Sequence, residues 1–281
     1  MKRLRAFWRH YRRNLAAVIG LAILSLVLLM ALSAPLLFPT DPWEIVARPF
    51  IWPLQDWSYP LGTDMLGRNV AAGIFHGAQV SLLIGIIATI AALFVGVLVG
   101  ALSGFYGGLT DDVLMRLTEI FQTVPAFIFI FVVVAIFNPS VQIIVLAVAI
   151  VSWPPIARLV RGEFIALRNR DFIQGCIAIG MNDLRIIFVQ ALPNALAPVI
   201  VTASVTVALA ILAESGLAFL GLGDPNVMSW GTMIGAGRQV LRQAWYLTAI
   251  PGIAVLLTVL ALNLIGDGLN DALNPRLRGR S

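Results

Sequence analysis

Six long apolar stretches, separated by short clusters of charge, constrain this 281-residue chain more than any other feature. A bilayer core of about 30 Å is crossed by roughly 17–25 apolar residues in a helix. Segments of that kind run over 15–38, 79–103, 113–137, 141–157, 193–221 and 245–266. The charged fraction is 12%, and the mean hydropathy is +0.92. Soluble domains carry roughly 25% charged residues, so a soluble globule of this composition could not cover its surface. A soluble enzyme, a disordered chain and a secreted disulfide scaffold are thereby excluded. The one cysteine, Cys176, has no intrachain partner. The sequence predicts an all-α integral membrane protein with six transmembrane helices.

The first stretch is too long for a secretory signal, whose apolar region is about 7–15 residues, and reads as an uncleaved anchor. Six spans put both ends on one side. With the N-terminus inside, 15 of the 19 basic residues fall on inner segments, which predicts N-in, C-in. The net charge of +5 follows from this placement rather than from a nucleic-acid site. The expected organisation is a cytoplasmic basic leader (1–14), a first transmembrane helix (15–38) and an extracytoplasmic segment (39–78). A five-helix core (79–268) follows, with an inner connector at 158–192, and then a cytoplasmic tail (269–281). Five prolines between Pro39 and Pro60 argue against one helix in the outer segment. Trp43, Trp52, Trp57, Tyr59, Trp230 and Trp245 are placed as an aromatic belt would be. Asn138-Pro139-Ser140 is short enough to make its flanking spans an antiparallel hairpin.

The chemistry is defined mostly by what is missing. A phosphate-binding loop needs a lysine, and the only lysine is Lys2. His10 and His76 lie far apart, and no His/Cys metal-ligand spacing or catalytic constellation is present. Gly96, Gly100 and Gly104 repeat every fourth residue and so share one helix face. They read as a packing seam, internal or with a partner. Glu214 is the acid placed within a span, as a pathway group or a carboxylate bonded inside the bundle. Arg116 and Glu119 have the spacing of an i,i+3 ion pair in the headgroup zone. Pro125, Pro154-Pro155 and Pro198 are candidate kinks.

The inner connector is too long for a bare link. Residues 171–178 read as a short helix, and Gly180 suits a left-handed turn. Asn182-Asp183 can cap a following helix, and Pro193 suits the first turn of the next span. The pattern is a helix–turn–helix elbow on the cytosolic side, able to dock a soluble partner and transmit its movement.

From Tyr59 to Arg278 the chain resembles the membrane subunits of bacterial ABC importers. It is closest in pattern to the dipeptide/oligopeptide/nickel permeases, C-type or second subunit. The residues that carry the likeness are Leu61-Gly62-Thr63-Asp64-Met65-Leu66-Gly67-Arg68, Phe105-Tyr106-Gly107-Gly108 and Phe219-Leu220-Gly221-Leu222-Gly223. So do Asn263-Leu264-Ile265-Gly266-Asp267-Gly268-Leu269 and Asn274-Pro275-Arg276-Leu277-Arg278. The connector aligns with the importer loop E-A-A-x-x-x-G-x9-I-x-L-P. Gln174 stands at the glutamate, Gly175 and Cys176 at the alanines, and Gln190 at the isoleucine, while Gly180, Leu192 and Pro193 match.

The resemblance implies a type I ABC importer permease fold in the bacterial inner membrane. It implies a homologous permease as the other half of the pathway, two cytosolic ATPases and an extracytoplasmic binding protein. This chain would bind no cofactor of its own, with ATP and Mg on the ATPases. Coupling would fall to Gln174, Gly175, Cys176, Gly180 and Asp183. The segment 39–78, with the stretch around Trp230, would dock the binding protein. Peptide is the implied cargo, and nickel or another small solute is the alternative. A secondary transporter or channel is disfavoured, because ionisable residues near the midplane are nearly absent.

Overall fold

The computed structural model describes Tyr11, Arg12 and residues 14–273. Most of the basic leader and the Asn274–Arg278 motif therefore lie outside the described residues. Helix α1 spans Leu15–Leu37, α2 Val70–Tyr106, α3 Gly108–Gln122 and α4 Ala126–Phe137. Helix α5 spans Val141–Arg168 and α6 Asp171–Ala178. Helix α7 runs over Asp183–Phe219 and winds as a π-helix from Ile186 to Ala191. Two more helices, α8 (Trp230–Arg238) and α9 (Tyr246–Leu273), complete the order.

Five of these helices are long and apolar enough to cross a membrane, and the bent pair α3–α4 makes a sixth crossing if taken as one. The sequence treats 113–137 as a continuous span, but the chain turns by 72° between α3 and α4. Pro125 stands as the N-cap of α4, where its missing N–H and its clash with the preceding residue end α3. Composition supplies a second reason. Helix α3 carries Asp111, Asp112, Arg116 and Glu119, whereas α4 is wholly apolar. Pro154-Pro155, Pro198 and Pro251 lie within continuous helices.

Helix α2 begins nine residues before the expected span, capped by the Asn69 side chain accepting from Ala71 N at 2.9 Å. At 1.5 Å per residue its 37 residues reach about 55 Å, well beyond the hydrocarbon core. Helix α5 likewise continues to Arg168, so Arg158 and Arg161 are helical and the inner connector is shorter than 158–192.

The most extensive helix contact joins α2 to α5. A Cβ on Gly96 would stand 2.7 Å from Ile156 Cβ, and one on Gly104 the same distance from Phe164 Cβ. Gly100 meets Ala157, Val160 and Arg161. The glycine stripe thus faces a helix of the same chain. The N-terminal end of α1 meets the C-terminal end of α9. Asn14, whose Oδ1 caps α1 by accepting from Ala17 N, donates through Nδ2 to Asp271 at 2.9 Å. Gly20 lets α1 approach Ala261 and Leu264 of α9.

Candidate functional site

The inner elbow is rooted by apolar side chains. Ile173 of α6 and Ile186 and Ile187 of α7 are fully buried, in one cluster with Phe105 of α2 and Phe164 of α5. Helix α6 ends in a Schellman turn. Gly180, at φ +75°, donates from its N–H to Ile177 O at 3.0 Å, and Met181 N donates to Cys176 O at 3.1 Å. Asn182 then starts α7, its Oδ1 accepting from Leu184 N at 2.9 Å. Gln174 Nε2 donates to Arg168 O at 2.8 Å, satisfying an orphan carbonyl at the end of α5. A glutamate at this position would have no donor for that oxygen. Gly175 has open space where a Cβ would stand, and Cys176 is half-buried against the cluster. Outward, Gln174, Gly175, Ile179, Asp183 and Leu184 are exposed, Ile179 at 77%. The elbow therefore offers a mixed apolar and polar surface on a rigid base.

A three-helix junction sits beside that base. Arg161 of α5 makes a two-pronged ion pair with Asp111 of α3, Nε to Oδ1 and Nη2 to Oδ2 both at 2.6 Å. Ser103 of α2 donates to the same carboxylate. Arg116 and Glu119, which have the spacing of a pair, do not form one. Sequence reasoning missed the junction because its partners stand 50 residues apart. No local periodicity connects them.

Residues 39–69 form an irregular clasp between α1 and α2. Thr63 is its hub. Its Oγ1 accepts from Ile51 N at 3.0 Å and donates to Arg48 O at 2.8 Å. Tyr246, at the start of α9, donates its hydroxyl toward Ile51 O at 3.0 Å and Thr63 O at 2.8 Å. Asp64 Oδ1 accepts from the backbone N–H of Leu66 and Arg68. Gly62 and Gly67 have φ of +80° and +84°, with Ile51 O and Ala47 O where a Cβ would be. The Leu61–Arg68 motif is thus the fold of the clasp itself. Trp52, Trp57 and Trp245 are exposed there, as a belt or docking surface needs.

Trp230 is different. It is fully buried, its Nε1 donating to Ile74 O at 2.9 Å and its backbone N to Ser81 Oγ at 3.1 Å. Gly77 makes room for the ring. Its side chain therefore belongs to the core, and the expectation that it joins the outer belt is corrected. Glu214 is also buried, 1% exposed, with Ser229 Oγ donating to it at 2.5 Å. Ser229 is the N-cap of α8, and Gly231 packs against the carboxylate. Through this bond to the N-cap residue of α8, Glu214 ties α7 to α8. Among the described residues no cluster of His, Cys, Asp or Glu has a metal-binding arrangement.

The sequence matches two family descriptions. Residues 96–279 match "Binding-protein-dependent transport system inner membrane component", and residues 2–59 match "N-terminal TM domain of oligopeptide transport permease C". A di/tripeptide transport system permease protein, DppC, of Pseudomonas aeruginosa is 39% identical, covering 98% of this chain and 93% of that protein. The dipeptide permease protein DppC of Escherichia coli K12 is 39% identical over 99% and 95%. The oligopeptide permease protein OppC of Bacillus subtilis is 34% identical over 95% and 88%. Among solved structures, a chain of the inward-facing MetNI methionine ABC transporter superposes with a TM-score of 0.59 at 16% identity. That match covers 72% of this chain and 96% of the other.

Proposed function

The chain belongs to the binding-protein-dependent transport system inner membrane components, and from that premise we propose that it forms half of the translocation pathway of an ATP-driven peptide importer. The peptide reading is supported by full-length likeness to proteins described as dipeptide and oligopeptide permeases. The chain is not itself an enzyme, and ATP with its Mg is hydrolysed on separate subunits. The inner elbow carries the proposal. Its exposed residues Gln174, Gly175, Gly180 and Asp183 are rooted through Ile173, Ile186 and Ile187, with Cys176 half-buried among them, on the ends of α2 and α5. Helix α7 continues from the elbow without a break through the bundle. A soluble motor that tilts the elbow therefore moves α7 directly and α5 through the buried cluster.

In this reading the elbow faces the cytosol, as the basic residues require. A homologous permease covers the exposed apolar faces of α3 and α4. The outer clasp receives the binding protein, which delivers the peptide. The test is co-purification with the neighbouring permease and two ATPases, followed by reconstitution in lipid vesicles. The expected result is ATP hydrolysis stimulated several-fold by binding protein loaded with a dipeptide, with uptake of that dipeptide. Uptake that persists without ATP and collapses with the ion gradient would overturn it.

A further inference from the structure

The clasp and α8 enclose an outer cavity of about 70 Å³. Its walls include Trp43, Asp64, Arg68, Met228, Met233 and Ala236. The Arg68 guanidinium lies over the Trp43 ring, 4.5 Å from its centroid, and Arg68 Nε is buried with no acceptor. Among the described residues Arg68 makes no ion pair. Asp64 shares the wall, but its Oδ1 already accepts from two backbone N–H groups of the clasp, those of Leu66 and Arg68. The clasp thus holds a guanidinium over an aromatic ring without pairing it to a carboxylate. That arrangement suits the planar fork of arginine, which matches a carboxylate with two parallel donors. The cavity has room for a side-chain tip, since about 10–15 Å³ of such space already holds a water. Ala236, at its rim, is exposed.

We infer that this cavity receives an aspartate or glutamate side chain of the extracytoplasmic binding protein, which pairs with Arg68 beside Trp43. The inference rests on the importer reading above and adds the contact that fixes docking. The observation that carries it is an outward cavity walled by a stacked cation that has no anion.

The test uses the whole importer in lipid nanodiscs, titrated with its own binding protein while ATP hydrolysis is followed. Arg68→Gln is expected to raise the half-saturating concentration of binding protein about tenfold, the effect of losing one charge-assisted contact. The plateau should fall by less than that. Ala236→Trp fills the cavity and leaves the arginine in place, and it should raise the half-saturating concentration in the same way. In high salt, wild type and Arg68→Gln should converge, because screening weakens the ion pair. Lowered plateaus with unchanged half-saturation in both variants would overturn the inference. A wild-type complex that binding protein fails to stimulate at all would overturn the importer reading and this contact with it.

Discussion

Proline at position 180 abolishes binding-protein-dependent uptake while leaving the chain in the membrane. Gly180 sits at φ +75°, and proline is locked near −65°. The substitution also removes the N–H that donates to Ile177 O, one of the two bonds closing the turn after α6. A penalty of about 3 kcal/mol or more against the native turn lowers its population more than about a hundredfold. The long apolar helices and the buried isoleucines are untouched, so insertion proceeds and only the exposed half of the elbow is lost. In vesicles the expected phenotype is ATP hydrolysis that no longer follows uptake, with uptake down by at least about tenfold. Gly180→Asn is the control. Asparagine adopts the left-handed conformation at modest cost, and nothing stands within 4 Å of the added Cβ. That variant should retain most transport. Normal uptake by the proline variant would remove the elbow from the coupling path.

Leucine at position 100 removes the folded permease altogether. A bare Cβ there would stand 2.8 Å from Val160 Cβ and 3.0 Å from Arg161 N, with Ala157 O nearer still. Two of these three obstacles are backbone, which cannot rotate away. Overpacking costs about 1–3 kcal/mol in ordinary cores and more where the backbone must move, and a leucine adds three further carbons to the clash. The separation of α2 from α5 must then change, and with it the Asp111–Arg161–Ser103 junction at the same end. Gly162→Ala on α5 has the opposite sign. Its Cβ meets nothing within 4 Å, and alanine gains up to about 1 kcal/mol of helix propensity over glycine. Thermal unfolding of the purified complex separates the two. Gly162→Ala should hold or raise the midpoint, whereas Gly100→Leu should yield little intact complex. Equal midpoints would show that the glycine stripe is not a close-packed seam.

What the sequence made legible follows from the range of the forces involved. The short helix at 171–178, the left-handed Gly180 and the helix break at 138–140 are local, and each is found where its residues place it, whereas the apolar spans are recovered with shifted starts and one break. The break at Pro125 was visible as a proline, but its 72° angle was not. Depth of burial was the main thing hidden. Trp230 and Trp245 are both tryptophans beside an outer loop, yet one is fully buried and the other 57% exposed. Only the packing of Gly77 and Ile74 from α2 distinguishes them. The ionic contacts were hidden for a related reason. Arg116 and Glu119 have the spacing of a pair, while Asp111 and Arg161, which do pair, are brought together by the helix fold. The Leu61–Arg68 motif was readable as a family pattern. Its physical basis, two glycines against carbonyls and a threonine tied to Arg48 and Ile51, lies in contacts between residues 11–20 apart, which no local pattern shows.

The central claim is that a cytosolic motor grips the elbow. Cys176 is a poor reporter of this, being half-buried. A cysteine at Ile179, which is 77% exposed, in a Cys176→Ser background is a better one. In intact cells a membrane-impermeant maleimide should leave it unmodified, and in the assembled complex a short bifunctional reagent should cross-link it to the ATPase subunit. Modification of that cysteine from outside unbroken cells would contradict the account.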